Sequence, residues 1–130
     1  VVAMKPSIFT KIINGELPSM KIYEDDRTYA FLDINPIQPG QIVVVPRAQV
    51  DHLEDLEQED YLAVMKTVKL LMQHMRDELM PERVCLRVDG FEVAHAHIKL
   101  IPCNTEAEVK AEPYEAGEDE LADMHERLMY

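Results

Sequence analysis

The sequence has few cysteines and no long hydrophobic run. Its 130 residues contain two cysteines, Cys85 and Cys103, which are far apart and form no CxxC pair. Two such thiols make no disulfide framework, so we expect both to be reduced, with at least one in a core strand. No apolar stretch approaches the roughly 18 to 20 residues that cross a membrane. Neither a disulfide scaffold nor a membrane-spanning protein is expected.

Basic residues are also scarce. The chain has 13 Lys and Arg against 25 Asp and Glu, which gives a formal net charge of −12. This charge repels duplex nucleic acid and anionic membrane surfaces, and it argues against binding of extended nucleic acid. A small anionic ligand stays possible, because a few positive groups and backbone donors can hold one phosphate locally. Together with the reduced cysteines, these features predict a cytoplasmic protein without a membrane partner.

The length predicts a single domain over residues 1–130. We expect residues 1–6 to be a disordered or vector-derived segment. Residues 104–130 are rich in glutamate, and we expect an acidic C-terminal tail that lies largely over the surface, with a short helix at 118–128.

The spacing of apolar residues predicts an α+β domain, in which an antiparallel five-stranded sheet carries one long helix and the chain starts with a short helix. The short helix is predicted at residues 8–13. The long helix is predicted at 56–79, where apolar residues recur at steps of three or four: Leu62, Met65, Val68, Met72, Met75 and Leu79. The strands are predicted at residues 21–24, 28–33, 41–46, 84–88 and 92–101, with Pro102 ending the last one.

Three nitrogen-bearing side chains, His95, His97 and Lys99, lie in the last predicted strand. Side chains two apart in a strand point to the same face, so these three are predicted to share one face while Ala96 and Ile98 pack on the other. Two histidines at this spacing can be surface residues, hydrogen-bonded core residues or metal ligands. The spacing alone leaves these alternatives open.

Five sequence blocks give the histidines a wider context. They are residues 9–19 (FTKIINGELPS), 31–34 (FLDI), 39–40 (PG), 43–47 (VVVPR) and 95–102 (HAHIKLIP). In this order and spacing the chain, from Ser7 to Pro102, resembles the histidine triad family of nucleotide-binding proteins. Several blocks in register are much more specific than two histidines alone.

The resemblance implies a nucleotide hydrolase or phosphoramidase that acts at the α-phosphate of an AMP-like purine nucleotide. His97 matches the family's nucleophilic histidine, which forms a transient nucleotidyl-histidine, and His95 supports the site. Asp33 matches an acid that bonds the ribose hydroxyls. The positions that line the base in the family correspond to Phe9, Ile13, Phe31 and Ile34. Simple core packing is the alternative role for these four side chains.

Three positions depart from the family's pattern. Lys99 replaces the third histidine; it can neutralise a phosphate as a point charge, but near neutral pH it shuttles protons poorly unless burial lowers its pKa. Gln41 replaces another histidine of the nucleotide site, and Glu92 replaces a small hydroxyl residue that helps to hold the phosphate. A glutamate beside a phosphate is unfavourable unless it turns away or pairs with Lys99 or Arg87. Lys99 as a surface residue without a role is the alternative interpretation.

One branch of the family binds structural zinc, at positions that correspond here to Ser7, Thr10, Gln49 and His95. Hydroxyls and an amide are poor zinc ligands compared with thiolate and imidazole. We therefore expect no zinc at this site and no other cofactor. His52 and His74 are expected to be surface residues rather than substitute ligands.

Three functions remain open from the sequence. The first is the hydrolase described above. The second is a nucleotide-binding module with little or no catalysis, in which the replacements at Lys99, Gln41 and Glu92 reflect a loss of catalysis. The third is a partner-binding protein that only uses the fold. The resemblance also implies a homodimer, for which the long helix and the last strand would supply apolar area.

Overall fold

Five strands form one antiparallel sheet in the computed structural model, which describes residues 4–130. They span Lys21–Glu24 (β1), Thr28–Leu32 (β2), Ile42–Pro46 (β3), Arg83–Arg87 (β4) and Ile98–Cys103 (β5). From edge to edge the order is β1-β2-β3-β5-β4. Half of the N-terminal segment predicted to be disordered or vector-derived, residues 1–3, lies outside the described residues.

Four helices accompany the sheet. They span Ile8–Ile13 (α1), Gln58–Leu79 (α2), Glu106–Val109 (α3) and Glu118–Leu128 (α4), and a 3₁₀ turn covers Leu53–Asp55. Helix α1 starts after Ser7, whose hydroxyl accepts the backbone N–H of Thr10 at 3.0 Å and so caps the helix. The predicted α+β fold, with five antiparallel strands, a long helix and a short N-terminal helix, is confirmed. Within residues 4–130, no helix combines the length and apolarity needed to cross a membrane.

Both faces of the sheet are covered. Every residue of β2 and β3 is buried, as expected for central strands packed on two sides. On one face, α2 and α4 enclose the larger core. On the other face, α1 brings Phe9 into a smaller cluster with Tyr29, Phe31, Val43 and Val45. The smaller cluster positions the site described below.

The buried face of α2 differs from the predicted one. Leu62 is 54% exposed, whereas Val64 and Leu71, which the predicted stripe omitted, are fully buried with Val68 and Met75. These four buried residues follow steps of four, three and four, and they face the sheet. The predicted stripe included Met65 and Met72, but these two side chains flank the contact between α2 and the sheet and are only partly buried. Tertiary packing, rather than the apolar spacing alone, selects the buried face.

The last strand also differs from its prediction, because it starts at Ile98 rather than near Glu92. The preceding backbone finds another partner: the N–H of Ala96 donates to the carbonyl of Val50 at 2.7 Å. At its other end β5 continues through Pro102. There Pro102 lies opposite Val84 of β4, whereas the described pairing with β3 has ended at Leu100, so the proline interrupts none of the described β3–β5 pairs.

The C-terminal tail, which the sequence predicted to lie largely over the surface, is packed against the domain. The N–H of Tyr114 donates to Pro36 O and that of Ala116 to Ile34 O, both at 3.0 Å. Leu128 is fully buried in the larger core. The His74 ring nitrogen Nε2 lies 2.9 Å from Leu128 O, so His74 is half-buried beneath the tail rather than a surface residue.

The two cysteines are free thiols, on β4 and β5. Cys103 is buried and Cys85 half-buried, which confirms the expectation of a cysteine in a core strand. Burial, followed by its interaction with Cys85, raises the pKa of the Cys103 thiol to about 11. Cys103 is therefore a protonated, weakly nucleophilic core residue near neutral pH.

Candidate active site

A cavity of about 470 Å³ opens on the sheet face that carries α1. Its floor is formed by Phe31, Val43 and Lys99, which are paired side by side on β2, β3 and β5. Phe9 of α1 forms one wall. Most of the remaining wall is apolar, as is usual for small-ligand sites with a few polar groups.

His97 lines this cavity from the segment just before β5. It is 5% exposed, and the Phe9 ring packs edge-on against it with 4.9 Å between the ring centroids. Its Nδ1 lies 2.8 Å from the carbonyl oxygen of His95. Because a carbonyl only accepts, Nδ1 must carry the proton, and in the neutral ring Nε2 then holds a free lone pair. No residue in 4–130 forms a hydrogen bond with that Nε2.

His95 lies behind Phe9 and is fully buried. Its Nε2 donates to the carbonyl of Pro46 at 2.8 Å, and its Nδ1 lies 2.7 Å from the hydroxyl of Ser7. Burial, and to a lesser extent the neighbouring His97, lowers the pKa of His95 and favours the neutral ring. In that form Nδ1 accepts, so the Ser7 hydroxyl donates to it.

Lys99 is the single Lys or Arg among the described residues that line the cavity. Three carboxylates, Asp33, Glu92 and Glu115, line the same cavity. Lys99 lies beside Arg87 in the β4–β5 register and forms no ion pair within residues 4–130. It is therefore available to an anionic ligand, which the three carboxylates would otherwise repel.

The carboxylate of Asp33 is held by two hydrogen bonds. Its Oδ1 accepts the backbone N–H of Asn35 at 2.9 Å, and its Oδ2 accepts the side-chain amide of Gln41 at 2.8 Å. The Gln41 carbonyl oxygen in turn accepts the N–H of Ile37 at 2.9 Å, which fixes the orientation of the amide. These bonds leave Asp33 able to accept further donors from the cavity.

The cavity gathers most, but not all, of the predicted site residues. Seven of them line it: Phe9, Phe31, Asp33, Ile34, Glu92, His97 and Lys99. Three do not: Ile13 packs beside the Phe9 cluster, Gln41 is buried behind Asp33, and His95 lies beneath Phe9. Ile34 and Glu92 are exposed at the rim. His95 thus shares no open surface with His97 and Lys99, because the chain around it is not a regular strand.

Sequence reasoning missed one wall of the cavity. Pro113, Tyr114 and Glu115 of the tail reach it because their backbone pairs with the loop after Asp33. No local pattern marks this contact, since it joins residues about 80 positions apart. Val43 and Val93 were missed as well, although Val43 follows from the sheet register once Phe31 and Lys99 are known.

The four positions compared with a zinc site do converge. The hydroxyls of Ser7 and Thr10 lie 2.7 and 3.5 Å from Nδ1 of His95. Gln49 Oε1 in turn accepts the N–H of Ser7 at 2.8 Å and the hydroxyl of Thr10 at 2.7 Å. The donor set of two hydroxyls, one amide and one imidazole does not fit Zn²⁺, which prefers thiolate and imidazole. In residues 4–130, no group of three His, Cys, Asp or Glu side chains is arranged to hold a metal ion.

The chain is similar to known proteins in both sequence and fold. The family model for the HIT domain matches residues 14–106. An uncharacterised HIT-like protein of Methanocaldococcus jannaschii is 38% identical over 73% of this chain and 77% of its own length. An adenosine 5′-monophosphoramidase of Candida albicans is 33% identical over 93% of this chain and 88% of its own. The crystal structure of a HIT-like protein from Bartonella henselae matches with a TM-score of 0.86 at 25% identity, covering 98% of each chain. The chain therefore belongs to the histidine triad, or HIT, family.

Proposed function

We propose that the protein hydrolyses purine nucleoside 5′-phosphoramidates and related nucleotides at the α-phosphorus. The observation that carries the proposal is the geometry of His97, whose Nε2 lone pair is free and which lines a largely apolar cavity together with Asp33 and Lys99. The similarity to an adenosine 5′-monophosphoramidase supports the substrate class.

The cavity suits a nucleoside monophosphate. The base would lie among Phe9, Phe31 and Ile34, where burial of its flat faces is favourable. Asp33 would accept hydrogen bonds from the two ribose hydroxyls, which Gln41 favours by holding the carboxylate in place. The α-phosphate would then approach His97 and Lys99.

The reaction proceeds in two displacements. Nε2 of His97 attacks the α-phosphorus with its lone pair, the P–N bond breaks, and the amine leaves with a proton taken up from an acid or from water. A water molecule then attacks the nucleotidyl-histidine and releases a proton to solvent, the P–Nε2 bond breaks, and the electron pair of that bond returns to the ring. The products are the free amine and the nucleoside monophosphate, and His97 is regenerated.

Lys99 stabilises the negative charge that develops on the phosphoryl oxygens. His95 acts indirectly, since its backbone carbonyl holds Nδ1–H of His97. Glu92 is exposed at the rim and can turn away from the phosphate. His97 and Lys99 are the proposed catalytic residues, and His95 is a positioning residue.

A nucleotide-binding module with little or no turnover is the second candidate. It is favoured by the replacement of an imidazole by Lys99 and by the three carboxylates of the cavity wall, which weaken phosphate binding. The two candidates differ in a single observable, the release of product.

The test is AMP release from adenosine 5′-phosphoramidate by the wild-type protein and by His97→Ala. His125→Ala is the matched control, because His125 lies on α4 outside the cavity lining. We expect turnover in the wild type and the control, and its loss in His97→Ala. Equal turnover in all three would refute the mechanism, whereas AMP binding without turnover would favour the binding module. A protein that binds no nucleotide would be a partner-binding use of the fold.

We also propose that the protein is a homodimer. Support comes from apolar side chains that are exposed in the single chain, Leu62 on α2 and Leu86 on β4. Strand β4 is at the edge of the sheet, and such edges are commonly covered. Light scattering after size-exclusion chromatography should give the mass of two chains, and Leu62→Glu with Leu86→Glu should give that of one. A monomeric wild type would contradict the proposal.

A further inference from the structure

Ser7, Thr10 and Gln49 surround a histidine that never reaches the cavity. We propose that these three residues form, together with His95, a metal-free clamp that holds His95 in one tautomer and positions His97 for attack. This inference rests on the proposed function for its kinetic consequence, but not for its structural one.

The protons of the clamp are determined by its partners. The carbonyl of Pro46 can only accept, so His95 carries its proton on Nε2, and Nδ1 must accept from the Ser7 hydroxyl at 2.7 Å. The Ser7 hydroxyl oxygen meanwhile accepts the N–H of Thr10 at 3.0 Å. Both functions of this side chain, as helix cap and as donor to His95, are thus used at once.

Gln49 completes the arrangement. Its Oε1 accepts the backbone N–H of Ser7 at 2.8 Å and the hydroxyl of Thr10 at 2.7 Å, and its Nε2 donates to the carbonyl of Lys5 at 2.7 Å. No buried side-chain N or O among the described residues lacks a hydrogen-bond partner. A polar cluster with every group satisfied is rigid and adopts one arrangement.

The clamp connects three separate parts of the chain. Ser7 and Thr10 belong to the start of α1, Gln49 to the segment after β3, and His95 to the segment before β5. The segment after β3 is also tied by Val50 O, which accepts the N–H of Ala96 at 2.7 Å. The irregular backbone that carries His95 is therefore held from both sides.

The consequence for His97 follows from one bond. Nδ1–H of His97 donates to the backbone carbonyl of His95, so a displacement of His95 would turn the His97 ring and move its Nε2. Phe9, on the same helix turn as Ser7, packs against both imidazoles. Displacements below 1 Å at a reacting atom are enough to slow an enzyme strongly.

The poor fit of these side chains to zinc supports the same role for the clamp. Where thiolates and a second imidazole would bind Zn²⁺ and orient His95, this chain has the hydroxyls of Ser7 and Thr10 next to Nδ1 of His95. The amide of Gln49 holds these two residues in turn. The clamp does the orienting without a metal. Zinc is therefore not needed for the stability or activity of this chain.

The test compares three variants with the wild type. Ser7→Gly removes the hydroxyl but leaves an acceptable helix cap, and Ser7→Thr restores the hydroxyl. Thr105→Gly is the matched control, because it removes the cap hydroxyl of α3, which accepts from Glu108 and lies outside the cavity lining. Two readouts are recorded: kcat and KM with adenosine 5′-phosphoramidate, and the ring ¹⁵N signals of His95 and His97 in nuclear magnetic resonance.

In the wild type we expect the ¹⁵N signals to show His95 protonated on Nε2 and His97 protonated on Nδ1. In Ser7→Gly the His95 signals should move towards a mixture of tautomers, and kcat should fall about tenfold with KM changed by less than about twofold. Ser7→Thr should restore both readouts, and Thr105→Gly should leave both unchanged. A Ser7→Gly protein with unaltered kcat and ring signals would overturn the proposal, as would a wild-type His95 protonated on Nδ1.

Two outcomes need separate readouts. If the wild type releases no AMP, the proposed function fails, but the ¹⁵N signals still decide whether the clamp exists. If Ser7→Gly does not fold, Gln49→Met carries the test, since it keeps the Ser7 hydroxyl but removes the acceptor of Ser7 N–H and the Thr10 hydroxyl. Its kcat should fall about threefold, and a normal kcat with normal His95 signals would overturn the proposal.

Discussion

His97 donates its Nδ1–H to the backbone carbonyl of His95, two residues earlier, at 2.8 Å. This bond selects the tautomer in which Nε2 of His97 keeps its lone pair. A ring that was free to rotate would spend part of its time with the wrong nitrogen directed at the ligand. This hydrogen bond therefore links His95, which is buried without access to the cavity, with His97, which lines the cavity.

Lys99 supplies the positive charge of the cavity, and its removal should slow the reaction. Lys99→Gln, which keeps length without charge, should lower kcat about 10- to 100-fold, because the charge developing on phosphorus loses its partner. Lys99→Arg should lose less. Lys66→Gln, on the exposed side of α2, is the control. Steady-state rates with adenosine 5′-phosphoramidate provide the measurement, and a wild-type kcat in Lys99→Gln would show that Lys99 has no role in the reaction.

Asp33 should act on binding rather than on the chemical step. Asp33→Asn should raise KM by roughly tenfold or more with little change in kcat, since hydrogen bonds to a charged acceptor contribute about 1.5–3 kcal/mol. The 2′-deoxy substrate should show a similar penalty with the wild type and little additional penalty with Asp33→Asn. Asp26→Asn, in the exposed turn between β1 and β2, is the control. Fully additive penalties would exclude a contact between Asp33 and the ribose.

The convergence of the clamp residues predicts that a zinc site can be built there. The triple variant Ser7→Cys, Thr10→Cys, Gln49→His adds two thiolates next to Nδ1 of His95 and an imidazole at the position that contacts both of those residues. It should bind one zinc ion per chain in metal analysis, whereas the wild type should bind none. A triple variant without zinc would mean that the four positions do not reach tetrahedral geometry.

The docked tail should contribute to stability. Leu128→Ala should lower the free energy of unfolding by about 2–5 kcal/mol, because Leu128, the last residue of α4, is fully buried in the larger core. Met129→Ala, at the exposed neighbouring position, should change it by less than about 0.5 kcal/mol. Urea unfolding followed by circular dichroism gives both values. Equal effects would show that the tail is not packed in solution.

The sequence predicted those elements that depend on residues nearby in the chain or simply on burial of an apolar run. The short helix at 8–13 was predicted with the observed bounds because its cap and its turn lie next to it in the chain. Strand β3 was predicted from a β-branched run that is buried on both faces. The last strand was predicted too long because Ala96 N–H bonds to Val50 O, a contact that only the folded chain brings together.

The site shows the same division. His97, Lys99 and Asp33 follow from the family resemblance, and all three line the cavity. The hydrogen bond from Gln41 to Asp33 depends on how the loop between them folds. The wall that Tyr114 and its neighbours in the tail form depends on contacts between distant segments. Neither leaves a periodic or compositional signal in the sequence.

The central claim is that His97 attacks phosphorus and carries the nucleotidyl group, and the stereochemistry of the reaction tests it most directly. A substrate made chiral at the α-phosphorus by sulfur substitution, hydrolysed in ¹⁸O-water, reports the number of displacements. Two successive displacements, through the nucleotidyl-histidine, predict retention of configuration at phosphorus. Inversion would mean that water attacks the substrate directly, and it would contradict the account.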